Sequence, residues 1–536
     1  MNPTPQEEPI DQVSRWHVSR NAWLLYAAAV LVGSISTTIP LAIWISPILI
    51  LLFIDRMPRL IGFLLFFGFV VTVFVITQKG MIPIPDTEFY VMAVIIGILG
   101  FVPYWLQVAM KERLPGFLVP LVLPCATVAI EYAASAGSFG SWGSLAYSQA
   151  GNLPLMQLAS ITGIWGITFF MCWTASTVWW VISSVKISQF KLPAEAIVYL
   201  AFAIAIIAFG QHRVARGKAM LSQPNDGRQV ACIVAPKGPY TPEVVRRWLE
   251  AARAELSAQN DTQSAETHSE LTRSMLADSR PAVFAELDYL LRKSAERAKA
   301  GAKLIVWSEA ALSTPPDFEQ EILDRCSEFA KSHSTNLAMT LGVIRPDSDP
   351  GKFIENKIVF LNEEGSIEGE YMKFNTVPGE PSLNGNGLIP SFDTKLAGRI
   401  SPIVCFDADF PSFVSQVGQG KIDTATPQTI VISANDWAEV SEQHMQMSAF
   451  RAIENGMWVV RSTSQGTSAV ISPLGEVQER LSSFESPEPT MSGWVSGGRM
   501  RTWYPTVGDA AAQGSCVGLI LMIITAIFRG RHNHRR

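Results

Sequence analysis

Apolar residues dominate the first 210 positions and then give way to a mixed pattern of short apolar runs separated by polar turns. The long apolar stretches are 22–36, 41–54, 60–77, 89–110, 117–134, 158–184 and 194–210, with one more at 515–528. Crossing a bilayer takes ~20 residues of helix. The stretches therefore predict about eight spans, of which the first two and the last are short. Pro40 lies between the first two and can kink them into one hairpin.

Between the last two spans the periodicity predicts an alternating α/β domain. Apolar strands are expected at 229–234, 303–307, 337–344, 429–433, 458–462 and 467–471, and helices at 241–258, 283–300, 318–332 and 444–455. Runs 357–362 and 366–373 form a predicted hairpin turned at 363–365, and Pro473-Leu474-Gly475 marks a further turn. The polar segment 259–281 is expected to be an exposed insertion, and no internal repeat is present.

Charge sharpens this division. The chain of 536 residues has 42 Lys and Arg and 47 Asp and Glu, yet only 13 of these fall within 22–210. Mean hydropathy is +0.21. The expected layout is a cytoplasmic tail at 1–21, a membrane bundle of about seven helices at 22–210, a catalytic domain at 211–512, and a last helix with a basic tail at 513–536. About 300 residues suffice for a hydrophobic core without staples.

Short cytoplasmic loops are enriched in Lys and Arg. Here alternate loops hold Arg15 and Arg20, Arg56 and Arg59, Lys111 and Arg113, and Lys186 and Lys191, and the tail holds Arg529, Arg531, Arg535 and Arg536. The intervening short loops contain only Lys79, apart from Arg213, Arg216 and Lys218 at the start of the domain. Both termini are therefore expected inside and the α/β domain outside. In a bacterial cell that is the periplasmic face of the inner membrane. A signal peptide is disfavoured because no Ala-x-Ala site follows the first stretch.

Other classes recede. The six cysteines lack paired spacing, no HEXXH or phosphate-binding glycine loop occurs, and no basic groove with interleaved aromatics indicates nucleic acid. Neither a cofactor nor a metal is implied.

Three strand-forming runs end on reactive side chains: Glu309 after Leu304 to Ser308, Lys373 after Glu370 to Met372, and Cys405 after Ile400 to Val404. A thiol that attacks, a carboxylate that takes its proton and an ammonium that faces the developing charge are the parts of an acyl-transfer site. Each has a plainer reading. A buried cysteine is commonly a small inert hydrophobe, as expected for Cys232 and Cys326. A glutamate after a strand often only begins a helix, and a lone lysine is usually a solvated charge. Trp437, Trp458 and Trp494 are better read as core or interfacial residues than as a substrate box.

The ordered trio resembles the nitrilase (carbon–nitrogen hydrolase) superfamily, as do Ala434-Asn435-Asp436-Trp437 and Arg451-Ala452-Ile453-Glu454-Asn455. The chain is further similar to the apolipoprotein N-acyltransferase family. That likeness rests on Leu145-Ala146-Tyr147-Ser148-Gln149, on residues 158–166, and on Arg501-Thr502-Trp503-Tyr504-Pro505 with Gly508-Asp509. The resemblance implies an αββα sandwich inserted in a multi-pass helical membrane protein. It also implies transfer of a fatty acyl chain from a phospholipid to the N-terminal amine of a lipid-modified apolipoprotein, through a thioester on Cys405. Glu309 would be the base and Lys373 the oxyanion partner. The alternatives are a membrane-anchored amidase using the same trio with water, and a non-catalytic lipoprotein-binding relative.

Departures from the family pattern surround the trio. The loop after the lysine, Pro378-Gly379-Glu380, is one residue short, which leaves Glu380 as the counterpart of a further active-site glutamate. Phe406-Asp407 replaces the usual Tyr-Glu, and Asn435-Asp436-Trp437 has lost a residue. The family's Glu-x-x-x-Arg-like pairing becomes Glu131 followed by Ala133, Ala134 and Ser135, with no arginine at that spacing.

Overall fold

The computed structural model describes residues 20–34, 40–81, 84–184, 192–221, 227–235, 262–345, 348, 351–419, 428–486 and 489–533. The chain forms two compact units, one of residues 1–131, 168–205 and 511–536, the other of residues 132–167 and 206–510.

The first unit is helical. Its elements are α1 (Arg20–Ser34), α2 (Ala42–Ile54), α3 (Arg59–Gln78), α4 (Asp86–Met110), most of α5 (Val122–Ser135), and parts of helices described below. Phe53, Ile54, Met57, Phe66 and Phe69 pack together in its interior, while Leu60, Leu64, Ile95 and Ile98 face outward. An outward apolar surface suits hydrocarbon rather than water.

Among the described residues six helices are long and apolar enough to cross a membrane: Leu60–Gln78, Asp86–Met110, Gly116–Ser135, Ile164–Ser184, Ala194–Leu221 and Ala510–Gly530. Six is near, though not equal to, the expected number of about eight. Helices α1 and α2 have 15 and 13 residues, each short of the ~20 that a span needs.

The stretch 158–184 is also broken. After α6 (Leu153–Met156), α7 (Ala159–Thr162) stops at Gly163, and α8 (Ile164–Ser184) restarts beyond it. Gly163 has φ +62°, and a Cβ there would lie 2.5 Å from the Tyr504 ring, so only glycine fits. Helix α9 (Ala194–Leu221) then leads into the α/β domain.

The second unit is a sandwich of two sheets. The first contains β1 (Arg228–Ile233), β2 (Leu304–Trp307), β3 (Leu312–Thr314), β4 (Asn336–Ile344), β5 (Ile354–Leu361) and β6 (Ile367–Met372). The second contains β7 (Phe392–Thr394), β8 (Gly398–Val404), β9 (Gln428–Asn435), β10 (Trp458–Ser464), β11 (Thr467–Ile471) and β12 (Val477–Ser482). Strand β13 (Thr490–Val495) returns to the first sheet and runs antiparallel to β1. The orders are β13-β1-β2-β4-β5-β6, with β3 beside β4, and β12-β11-β10-β9-β8-β7. Each centre is parallel: β1, β2 and β4 in one sheet, β8, β9 and β10 in the other. Their continuous apolar runs are what strands buried on both faces require.

Helices cover the outer faces. Helix α10 (Thr262–Lys299) and helix α11 (Pro316–His333) pack on the first sheet, where Val283, Leu287 and Ile322 are fully buried with Ile305 and Trp307. Each such aliphatic side chain contributes about 1.5–3 kcal/mol by leaving water. Helix α13 (Ser441–Asn455) lies on the second sheet and helix α12 (Pro411–Gly418) packs against it, followed in the chain by α14 (Tyr504–Val507) and α15 (Ala510–Asn533). The result is the expected αββα order.

The expected helix at 241–258 lies outside the described residues. The segment 259–281, expected as an exposed insertion, is helical from Thr262 on, where it forms the first half of α10. Its Ala, Glu, Leu and Met residues favour helix despite the polar composition.

Candidate active site

Strand ends from both sheets converge on one buried point. Glu309 lies two residues beyond β2, Lys373 directly follows β6, and Cys405 directly follows β8. Each strand is pinned by its neighbours, so its terminal side chain is aimed by the sheet rather than by a free loop. Glu309, Lys373 and Cys405 are 7%, 1% and 5% exposed. Little water reaches any of them.

The Glu309 carboxylate is saturated with donors. Its Oε1 accepts from Lys373 Nζ at 2.9 Å and from Asn356 Nδ2 at 2.7 Å, and its Oε2 accepts from the Asn435 backbone N–H at 2.8 Å. Lys373 Nζ also donates to Glu380 Oε1 and Oε2 at 3.0 and 2.8 Å. Glu380 accepts in addition from the Val377 N–H at 2.9 Å and the Ser382 hydroxyl at 2.6 Å. The shortened loop therefore still brings Glu380 into the cluster.

Cys405 begins a 3-10 turn, Cys405–Asp409, and has φ +44°, a left-handed conformation rare for a residue with a Cβ. Such strain persists only where the surroundings enforce it. The thiol has one weak acceptor, the Asn435 carbonyl at 3.8 Å.

Asp407 is fully buried beneath this turn. Its Oδ2 accepts from the Tyr371 hydroxyl at 2.7 Å and the Val404 N–H at 3.2 Å, and its Oδ1 from Asn375 N–H and Nδ2 at 2.8 and 3.0 Å. Asp407 thus ties the turn to β6 and the loop after it.

The charges set the resting state. Burial, and then the Glu309 charge, push the Cys405 thiol well above its ordinary value, against which Lys373 pulls only in part. The thiol therefore rests neutral. Burial opposes the Lys373 charge, but the Glu309 and Glu380 carboxylates outweigh it and hold the ammonium. Burial also opposes ionisation of Glu380, and the Lys373 charge overcomes it, so its carboxyl sits below the usual range. Burial raises Asp407 to about 6.

Sequence reasoning passed over Asn356. It lies inside β5, where a polar residue is unusual, and that was the available signal. It also passed over a buried charge cluster behind the thiol. Asp436 Oδ2 pairs with Arg461 Nη2 at 2.8 Å, Asp436 Oδ1 with His444 Nδ1 at 2.8 Å, and His444 Nε2 lies 3.3 Å from Asp409 Oδ2. Burial would lower His444, but Asp409 and Asp436 raise it to about 9.

Two stacked sheets with helices on their outer faces are carried here on one chain with an apolar helical unit. The Carbon-nitrogen hydrolase profile matches residues 234–492, and the Apolipoprotein N-acyltransferase N-terminal domain profile matches residues 24–177. An apolipoprotein N-acyltransferase of Geobacter metallireducens is 22% identical over 451 residues, covering 80% of this chain and 77% of that protein. One from Bradyrhizobium diazoefficiens is 25% identical over 430 residues, covering 73% and 70%. Among solved structures, an amidase from Nesterenkonia sp. aligns at 15% identity and TM-score 0.35, over 55% of this chain and 99% of its own.

The chain belongs to the apolipoprotein N-acyltransferase family. It is an enzyme of the N-acyltransferase class, and its six long apolar helices make it a membrane protein of a family with bacterial members.

Proposed function

We propose that the protein moves a fatty acyl chain from a phospholipid to the N-terminal amine of a diacylglyceryl-cysteine lipoprotein, by way of a thioester on Cys405. The observation that carries this reading is the convergence of Cys405, Glu309 and Lys373 in a water-poor site on a chain with six membrane-length helices.

In the first half-reaction the Cys405 sulfur attacks the acyl ester carbon while Glu309 takes the thiol proton. The carbonyl oxygen becomes an oxyanion, and the Lys373 ammonium stabilises it. Collapse breaks the ester C–O bond, and Glu309 returns the proton to the departing lysophospholipid oxygen. In the second half-reaction the amine attacks the thioester. A C–N bond forms, the C–S bond breaks, and the amine proton passes by Glu309 to the sulfur.

A resting thiol held neutral by burial suits this sequence, because Glu309 then removes the proton only as the C–S bond forms. Glu380 shares the Lys373 charge and keeps the ammonium aligned. Asp407 supports the turn from which the thiol projects. Phe374 stacks on Phe413 with ring centroids 5.3 Å apart next to Lys373, an apolar wall suited to an acyl chain.

Within this reading residues 22–210 and the last helix in 513–536 are the membrane bundle, 211–512 the catalytic domain, and 1–21 a cytoplasmic tail. The alternation of basic loops supports cytoplasmic termini and a catalytic domain on the periplasmic face of the inner membrane.

The test is to incubate the purified full-length protein with phospholipid and a synthetic diacylglyceryl-cysteine peptide, and to weigh the peptide by mass spectrometry. One added acyl group on the amine is expected. An unchanged peptide, with turnover of simple soluble amides, would replace this reading with an amidase.

A further inference from the structure

The segment between α5 and α8 in the chain packs into the same compact unit as the thiol-bearing turn. Ser141 makes two hydrogen bonds to one acceptor there. Its backbone N–H donates to the Asp409 carbonyl at 2.8 Å and its hydroxyl to the same oxygen at 2.6 Å. Asp409 is the last residue of the turn that Cys405 begins. Beside Ser141, Gly140 has φ +54°, and a Cβ there would lie 2.7 Å from that same carbonyl oxygen. The loop is pressed against the turn as closely as backbone allows.

Ser141 is itself held. With its own proton committed to Asp409, its oxygen accepts from the Tyr147 hydroxyl at 2.6 Å. Arg451 Nη2 donates to that hydroxyl at 3.3 Å, and Arg451 Nη1 reaches the Ala408 carbonyl at 3.4 Å. Arg451 is kept in place by Glu454, with Nε 2.9 Å from Oε2, and the Tyr147 ring packs edge-on to Phe450 at 5.2 Å. Ser141, Tyr147 and Arg451 are each no more than 4% exposed. Two successive carbonyls of the turn, Ala408 and Asp409, are thus fixed from outside the sheet on which Cys405 ends.

We infer that Ser141, Tyr147 and Arg451 are positioning residues that hold the Cys405 turn in its left-handed conformation, so that the catalytic geometry is completed by the loop that carries Ser141. A thiol at φ +44° points correctly only while the turn behind it is anchored. Asp407 anchors the turn to the first sheet, and the Ser141 loop anchors its far end. None of the three touches the reacting atoms. Their substitution changes how often the thiol is aimed, not how substrate is held.

This inference rests on Cys405 being the nucleophile, and two readouts on the full-length protein keep the questions apart. The first is single-turnover transfer of label from a phospholipid with a labelled acyl chain onto Cys405. Ser141→Ala should lower the rate constant about tenfold, roughly the worth of one buried hydrogen bond, with the lipid concentration for half-maximal rate unchanged and the protein still folded at the assay temperature. Tyr147→Phe keeps the ring on Phe450 and should fall by about three- to tenfold. It carries the same test if Ser141→Ala does not accumulate.

The second readout is the rate of Cys405 alkylation by iodoacetamide, which needs no acyl chemistry. It should change in the same variants. Wild-type rates in both readouts, or a slowing that merely follows a drop in melting temperature, overturn the clamp. If wild-type Cys405 takes no label, the thioester mechanism fails, and the alkylation rates still decide the clamp.

Discussion

The Lys373 ammonium is buried 2.9 Å from the Glu309 carboxylate, an ion pair made between the ends of two strands of one sheet. A buried pair of this kind is weak evidence for stability, since desolvation cancels much of its attraction. Its arrangement serves chemistry instead. In the proposed mechanism the carboxylate takes the thiol proton and the ammonium faces the oxyanion.

Glu309→Gln removes the proposed base while keeping shape. The amide nitrogen cannot accept from the Asn435 N–H, Asn356 or Lys373, so one donor also loses its partner. Acylation of Cys405 should slow by about 10²–10⁴-fold, the range for loss of a general base. Rapid-quench measurement of labelled Cys405 checks it.

Glu380→Gln should cost far less, about tenfold. Lys373 keeps its contact with Glu309, and only its second carboxylate is lost. The same assay on both variants ranks the two glutamates. Equal losses would mean that Glu380 shares the base role.

Asp407→Asn should destabilise the protein by about 1–3 kcal/mol, because four donors converge on Asp407 and an amide leaves at least one without an acceptor. Asp407→Glu restores the longer carboxylate usual in the family, but in this fully buried position the added methylene should overpack the turn at a cost of about 1–3 kcal/mol. Thermal melts of the detergent-solubilised protein measure both.

His444 makes the fold sensitive to pH. Its ordinary value of 6.5 is raised to about 9 by Asp409 and Asp436 against the pull of burial. A base raised on folding contributes stability that is complete below about pH 6.5 and is lost as pH rises through about 9. The contribution is at most roughly 3 kcal/mol. Melting temperature should fall across that window in the wild type. His444→Gln should be less stable at pH 6 and flatter above it.

Much of this was legible in the sequence because the central parallel strands are unbroken apolar runs, with Glu309 and Cys405 standing just past the ends of two of them, while Lys373 ends the edge strand β6. Strands β12 and β13 were less visible. Residues 477–482 are polar and partly exposed, and residues 490–495 pair with a strand more than 250 residues earlier in the chain. Asn356 escaped notice because its one local mark, a polar side chain within a strand, does not reveal that it reaches the Glu309 carboxylate. The Ser141 contact was invisible for a similar reason: Ser141 and Asp409 are 268 residues apart, and only the folded unit makes them neighbours. Six long apolar helices stand among the described residues where about eight spans were expected, because α1 and α2 are apolar enough to cross but have only 15 and 13 residues.

The central claim is that Cys405 carries the acyl group between donor and acceptor. Its most direct test is to incubate membranes containing the full-length protein with a phospholipid bearing a labelled acyl chain, quench in acid, and locate the label by peptide mass spectrometry. Wild-type protein should carry a hydroxylamine-sensitive acyl group on the Cys405 peptide, and addition of an amine-bearing diacylglyceryl peptide should discharge it. Cys405→Ala should carry none. Equal labelling of both proteins, or transfer to the peptide by Cys405→Ala at the wild-type rate, would contradict a thioester at this residue.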